Sequence, residues 1–169
     1  MKMINIMDPE TVRRGPQQVK AAICYIFDKG KALMIKRIKE PFTGCLVAPG
    51  GKFEAGETPV QCVKREIKEE TGLDIKKTSL KIVTSELGPK NYNWLLYIFT
   101  CDDFDGDVRV SDEGELVWVE VDKLKYMNMC DIDKRLLSYV LDKGKYFMKL
   151  RYDDDKNCSI EDVQVLDCK

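Results

Sequence analysis

Residues 58 to 72 read as one punctuated helix, and that helix has to carry three carboxylates on a narrow arc. Thr58 suits the N-cap, Pro59 the first helical position, and Gln61 completes a capping-box pattern. Gly72 suits the residue just past the helix end. Val60, Val63 and Ile67 form an apolar stripe at helical spacing, so the helix needs a layer to pack against. At about 100° per residue, Glu66, Glu69 and Glu70 fall within roughly a third of the circumference. Glu66 and Glu70 are an i,i+4 like-charge pair, which costs an isolated helix a few tenths of a kcal/mol, on the order of 0.3. Glu69 and Glu70 also occupy the last turn, where the macrodipole disfavours anions. Arg65 stands four residues before Glu69 and offsets part of the repulsion, whereas Lys64 and Lys68 have no favourable spacing to the three glutamates. Two readings follow: a solvated glutamate-rich face, or a site for a hard divalent cation such as Mg²⁺ or Mn²⁺, which takes oxygen ligands and bridges to phosphate.

The rest of the chain reads as alternating strands and turns around this helix. Residues 19–27 are rich in β-formers, 28–31 carry turn residues and 32–37 complete a hairpin. Strands are expected over 75–87, 92–101, 115–121 and 145–152, with 102–107 as a turn between two of them. In 93–101 apolar residues occupy both parities, as in a strand covered on both faces. Residues 131–143 predict a second amphipathic helix with Leu136, Leu137, Val140 and Leu141 inward, and the tail a turn and a final short strand. The plain reading is an N-terminal extension over 1–18 and one α/β domain with a mixed sheet over 19–169.

Composition narrows the chemistry. The chain of 169 residues has a net charge of -1, which gives no basic footprint for a nucleic acid polymer or an acidic membrane. No apolar run approaches the roughly 20 residues of a membrane span, and the first ten residues are too short and interrupted for a signal peptide. A cytoplasmic protein is expected. Seven cysteines without a paired spacing read as reduced thiols. There is no histidine, so triads built on imidazole are excluded and acid–base or metal work falls mainly to carboxylates, lysines and tyrosines.

Gly51, five residues, Glu57, seven residues, then Arg65-Glu66-Ile67-Lys68-Glu69-Glu70-Thr71-Gly72-Leu73 matches the Nudix box at every defined position. Over roughly residues 19 to 152 the chain resembles a Nudix hydrolase. The resemblance implies an α/β/α sandwich around a mixed sheet and hydrolysis of a nucleoside diphosphate linked to another group. It implies that Glu66, Glu69 and Glu70 hold divalent metal (Mg²⁺, with Mn²⁺ as an alternative), with the Gly51 carbonyl as a further ligand. Arg65 and Glu57 would pair to orient the catalytic loop against its helix. Glu69, Glu66 and Glu113 are all candidates for the general base.

More of the chain resembles the MutT-type 8-oxo-dGTP diphosphatases: the loop 48–57 with Lys52 after the glycine pair, and the acidic segment 110–124. This alignment makes Glu113 an extra metal ligand or catalytic carboxylate and places Asp133 facing the nucleobase. Leu46, Val47 and Cys130 depart from the tryptophan, asparagine and aromatic residues of some purine-sanitising relatives. Each candidate has a plainer reading. Asp112, Glu113 and Glu115 also suit a solvated turn, and Asp133 a carboxylate favoured by the helix dipole. Tyr92 and Trp94 suit either base stacking or core packing, and Lys36 and Arg37 either phosphate contacts or surface charge. Pro89, sixteen residues past Leu73, resembles a mark of ADP-ribose diphosphatases, though a Gly-Pro turn accounts for it equally. The substrate expected is a small nucleotide and the assembly a monomer or homodimer. A non-catalytic Nudix-fold regulator is the alternative from another class.

Overall fold

The structure, a computed structural model, describes residues 17–40 and 42–166. Most of the expected N-terminal extension therefore lies outside the described residues. The elements in chain order are β1 (Val19–Asp28), β2 (Lys31–Arg37), β3 (Leu46–Val47), β4 (Gly50–Lys52), α1 (Pro59–Thr71), β5 (Asp74–Leu87), β6 (Asn93–Asp105), β7 (Gly114–Glu120), α2 (Asp131–Leu141), β8 (Tyr146–Tyr152) and β9 (Cys158–Val165). A 3₁₀ segment, Val121–Tyr126, joins β7 to the approach of α2.

All nine strands join one mixed sheet, ordered β3-β2-β1-β6-β5-β8-β9, with β4 added to β1 and β7 to β2. The β1–β6 and β5–β8 pairs are parallel and the remaining pairs antiparallel. β1 is forked: residues 21–23 pair with β4 and 26–28 with β2, while its other edge runs along β6 from Val19 to Ile26. The β1–β2 turn places Lys29 and Gly30 at φ 46° and 77°, the left-handed pair a two-residue hairpin requires.

Two cores lie on opposite faces. Ala22, Cys24, Ile26, Leu33 and Phe99 pack with Val63 and Ile67 of α1. Tyr25, Met34, Ile82, Ile98 and Met148 pack with Leu136, Leu137 and Val140 of α2. Ile98 and Phe99, neighbours on β6, thus feed different cores, which is why apolar residues fill both parities there. This is the α/β/α sandwich around a mixed sheet.

Three local expectations are corrected. Asp102–Asp105 belong to β6 rather than to a turn, because β5 continues beside them with Asp74 opposite Asp105; the chain turns only at Gly106, φ 95°. Val60 is exposed, because the sheet-facing stripe of α1 begins one turn in, at Cys62 and Val63. Leu141 is exposed because it ends α2, whose Asp142 cap already leaves the layer.

Candidate active site

α1 starts and stops where its sequence punctuation places it. The Thr58 hydroxyl accepts from the Gln61 amide, the Gln61 side-chain oxygen accepts from the Thr58 amide, and Gly72 takes the left-handed conformation at φ 83°. These caps set the rotation of the helix, and with it the side chains that meet β4.

Two glycines on β4 make the approach possible. Gly50 has φ 146°, and a Cβ there would lie 2.2 Å from the Ala22 carbonyl oxygen. A Cβ on Gly51 would sit 2.5 Å from the Glu66 carboxylate. The Glu66 carboxylate therefore rests against the strand backbone in the space a side chain would fill. The Gly51 carbonyl accepts from the Cys62 thiol at 3.6 Å.

Arg65 ties the loop to the helix. Its Nε and Nη2 donate to the two Glu57 oxygens at 2.7 and 2.9 Å, a bidentate pair. Nη2 also donates to the Lys52 carbonyl at 3.0 Å, and Nη1 to Glu66 at 2.8 Å and Glu69 at 3.2 Å. Hydrogen bonding from the guanidinium, helped by the Glu54 amide, holds the Glu57 carboxyl down at about 2.

The three glutamates have different settings. Glu69 points outward, its side chain 59 % exposed, whereas Glu66 is 14 % exposed. Glu70 is turned to the strand and accepts from the Gly50 amide at 2.7 Å. Burial pushes the Glu70 carboxyl up to about 7; repulsion from Glu66 and Glu113 adds to this, against the pull of the Gly50 amide and Arg37. Glu113 and Arg37 thus lie in the field of Glu70 although they come from other elements. The strand register accounts for it, since Arg37 at the end of β2 pairs with Gly114, the residue after Glu113. Glu113 also forms an ion pair with Lys39 at 3.1 Å.

Among the described residues, no three carboxylates converge into a ready-made metal cage. Arg65 draws Glu66 and Glu69 sideways while Glu70 bonds to Gly50. The donor set nevertheless fits a hard divalent cation: carboxylate oxygens and a main-chain carbonyl, with mutual repulsion that a cation would relieve.

The side chains of the remaining candidates have other partners. Lys52 stands over the Trp94 ring, 5.5 Å from its centroid. Asp133 lies in the first turn of α2, and burial with repulsion from Glu86 pushes its carboxyl up to about 6. Lys36 is exposed and lies opposite Glu115 and Leu46. Pro89 sits in the β5–β6 turn, its carbonyl accepting from the Tyr92 amide at 3.1 Å. Leu46 is core, and Cys130 precedes α2. The six described cysteines are free. Sequence reasoning missed Glu86, which is buried and accepts from Thr84 at 2.6 Å and Tyr92 at 2.8 Å. Its signal was a charged residue in step with Ile82 and Thr84 on a β-rich run.

Comparison with known proteins agrees with this arrangement. The family model described as NUDIX domain matches residues 17–140. An uncharacterized Nudix hydrolase, YvcI of Bacillus subtilis, is 32 % identical over 127 residues, covering 72 % of this chain and 78 % of that protein. The ADP-ribose pyrophosphatase of Methanocaldococcus jannaschii is 41 % identical over 87 residues, covering 50 % of this chain and 51 % of the relative. The crystal structure of a mutator MutT protein from Bacillus halodurans superposes with a TM-score of 0.75 at 27 % identity, covering 87 % of this chain and 97 % of that one. With the box complete, Arg65, Glu66 and Glu70 placed against the paired-glycine strand and the family match spanning most of the length, the chain belongs to the Nudix hydrolases, a family of pyrophosphohydrolases.

Proposed function

We propose that residues 19–169 act as one Nudix domain that hydrolyses a nucleoside triphosphate, with dGTP or 8-oxo-dGTP foremost, to the monophosphate and pyrophosphate. The observation that carries this reading is Arg65, which pins the Glu57 loop and contacts two of the three helix carboxylates. Glu66, Glu69, Glu70 and the Gly51 carbonyl, with Glu113 across from them, would hold Mg²⁺ or Mn²⁺. When bound, the cation supplies charge neutralisation for the diphosphate and an acidified water.

The chain's own residues set the geometry. Arg65 and Glu57 hold the loop backbone rigid against α1, so that Gly51 and Lys52 keep a fixed distance from the carboxylates. Lys52 and Arg37 offer positive charge to the phosphates, and Asp133 faces the base. Glu69 is the most exposed of the helix glutamates and has open access to water, which suits it to accept the proton. Glu69→Gln should retain the wild-type melting curve and lose at least about 100-fold in kcat, in line with removal of a general base. Full activity of that variant at saturating Mg²⁺ would overturn the assignment.

ADP-ribose is the second reading, favoured by the 41 % identity to an enzyme of that name. Measuring kcat/KM on 8-oxo-dGTP, dGTP and ADP-ribose, with products identified, separates the two. Pyrophosphate release from a triphosphate supports the first reading; AMP as the dominant product from ADP-ribose replaces it with the second. The reading includes a cytoplasmic protein, monomer or homodimer, acting on small nucleotides rather than a nucleic acid polymer or membrane. Among the described residues no helix is long and apolar enough to cross a membrane.

A further inference from the structure

The α2 face of the sheet is only partly roofed. α2 covers Ile82, Ile98 and Met148, yet Ile23 and Leu96 on the central strands β1 and β6 are only partly buried. Apolar side chains in the middle of a sheet stay open only where the layer above them has a gap. Trp94, in step with Leu96 on β6, stands beside that gap, itself only partly buried. Its ring stacks on Tyr92 with centroids 5.8 Å apart and an interplanar angle of 22°. Tyr92 in turn meets Tyr152 edge-on at 5.1 Å, and its hydroxyl donates to the buried Glu86 at 2.8 Å. The aromatic wall is therefore fixed from behind by a hydrogen bond to an acid that Thr84 also holds in place.

Lys52 links this wall to the reaction centre. It directly follows Gly51, against which the Glu66 carboxylate rests, and its carbonyl accepts from Arg65. Its ammonium lies over the Trp94 indole. A cation over a partly buried indole is held by about 0.5–2 kcal/mol, whereas stacking a nucleobase on an aromatic ring contributes about 1–3 kcal/mol. A base bringing its own phosphates can thus displace the lysine from the ring and give it a better partner.

We propose that Trp94 and Tyr92 form the stacking platform for the purine base of the substrate, and that Lys52 leaves the indole for the phosphates as the nucleotide enters. Glu86 is a positioning residue that holds Tyr92, and through it the platform, in place. This rests on the nucleotide reading above. Stacking is tolerant of base identity, so the platform supplies affinity for purines and leaves the choice among them to groups at the base edge.

The test uses the full chain in EDTA, titrated with dGMP and with deoxyribose 5-phosphate, following tryptophan emission. Quenching by dGMP alone, lost in Trp94→Phe, is the expected result; that variant keeps Trp118, which packs on Phe104 against the other core and serves as the internal control. With Mg²⁺ present, Trp94→Leu should raise the KM for dGTP by about 5- to 100-fold with kcat little changed. Tyr92→Phe, which keeps the ring and removes the bond to Glu86, should raise KM by a smaller factor. Glu86→Gln, which keeps an acceptor, should restore most of the affinity that Glu86→Ala loses. A dGMP that inhibits turnover without touching the emission, or variants that lower kcat at constant KM, would overturn the platform. If dGMP neither inhibits nor quenches, the platform is equally refuted. Absence of Mg²⁺-dependent hydrolysis of any nucleoside diphosphate derivative would instead defeat the reading of function, whatever the indole reports.

Discussion

Asp133 shows how one carboxyl can make stability depend on pH. Burial in the first turn of α2 and the nearby Glu86 resist its ionisation, and its charge is also felt by Tyr25 on β1. A carboxyl whose folded value lies near 6, above its ordinary 3.8, weighs against the fold increasingly as pH rises between the two values, and in full above the folded one. That cost disappears as pH falls from about 6 towards about 4, where both states are protonated. Asp133→Asn has no such proton to exchange. Denaturant midpoints measured from pH 8 to pH 5 should therefore show wild type gaining on the variant as pH falls. Parallel curves would mean that Asp133 is solvated like an ordinary surface carboxylate.

At the scale of elements, α1 was legible almost completely and the carboxylates' surroundings only in part. Thr58, Gln61 and Gly72 announce their roles because capping depends on a few adjacent residues and little else. Removing the Thr58 cap should cost about 1 kcal/mol, read as a lower denaturation midpoint for Thr58→Ala at an unchanged slope. The pairing of Arg65 with Glu57 was readable through a shared box, and the structure places the two side chains together. The tether of Glu70 to Gly50 was not readable, because it depends on how far α1 sits from β4. The extension of β6 was hidden for a similar reason: Asp102–Asp105 have turn-like composition, and only the partner strand keeps them extended. Val60 and Leu141 have the right period but lie at helix ends that overrun the sheet, a boundary that periodicity does not encode.

For the whole molecule, the proposed metal site would couple cation binding to stability. The partly buried Glu70 lies among like charges, so the metal-free fold carries repulsion that a cation would relieve. Mg²⁺ should raise the melting temperature in proportion to the logarithm of its concentration above Kd. Glu70→Gln should be at least as stable as wild type without metal and gain much less when Mg²⁺ is added. An identical gain in both would remove Glu70 from the ligand set. The fork in β1 has a separate consequence, in time rather than in energy. The strand that carries Gly50 and Gly51 is held by the first half of β1, whose other edge pairs with β6, over seventy residues away in sequence. Pairings that distant close late and slowly. The catalytic loop should consequently be among the last parts to assemble, and refolding followed by enzyme activity should lag behind refolding followed by helical signal.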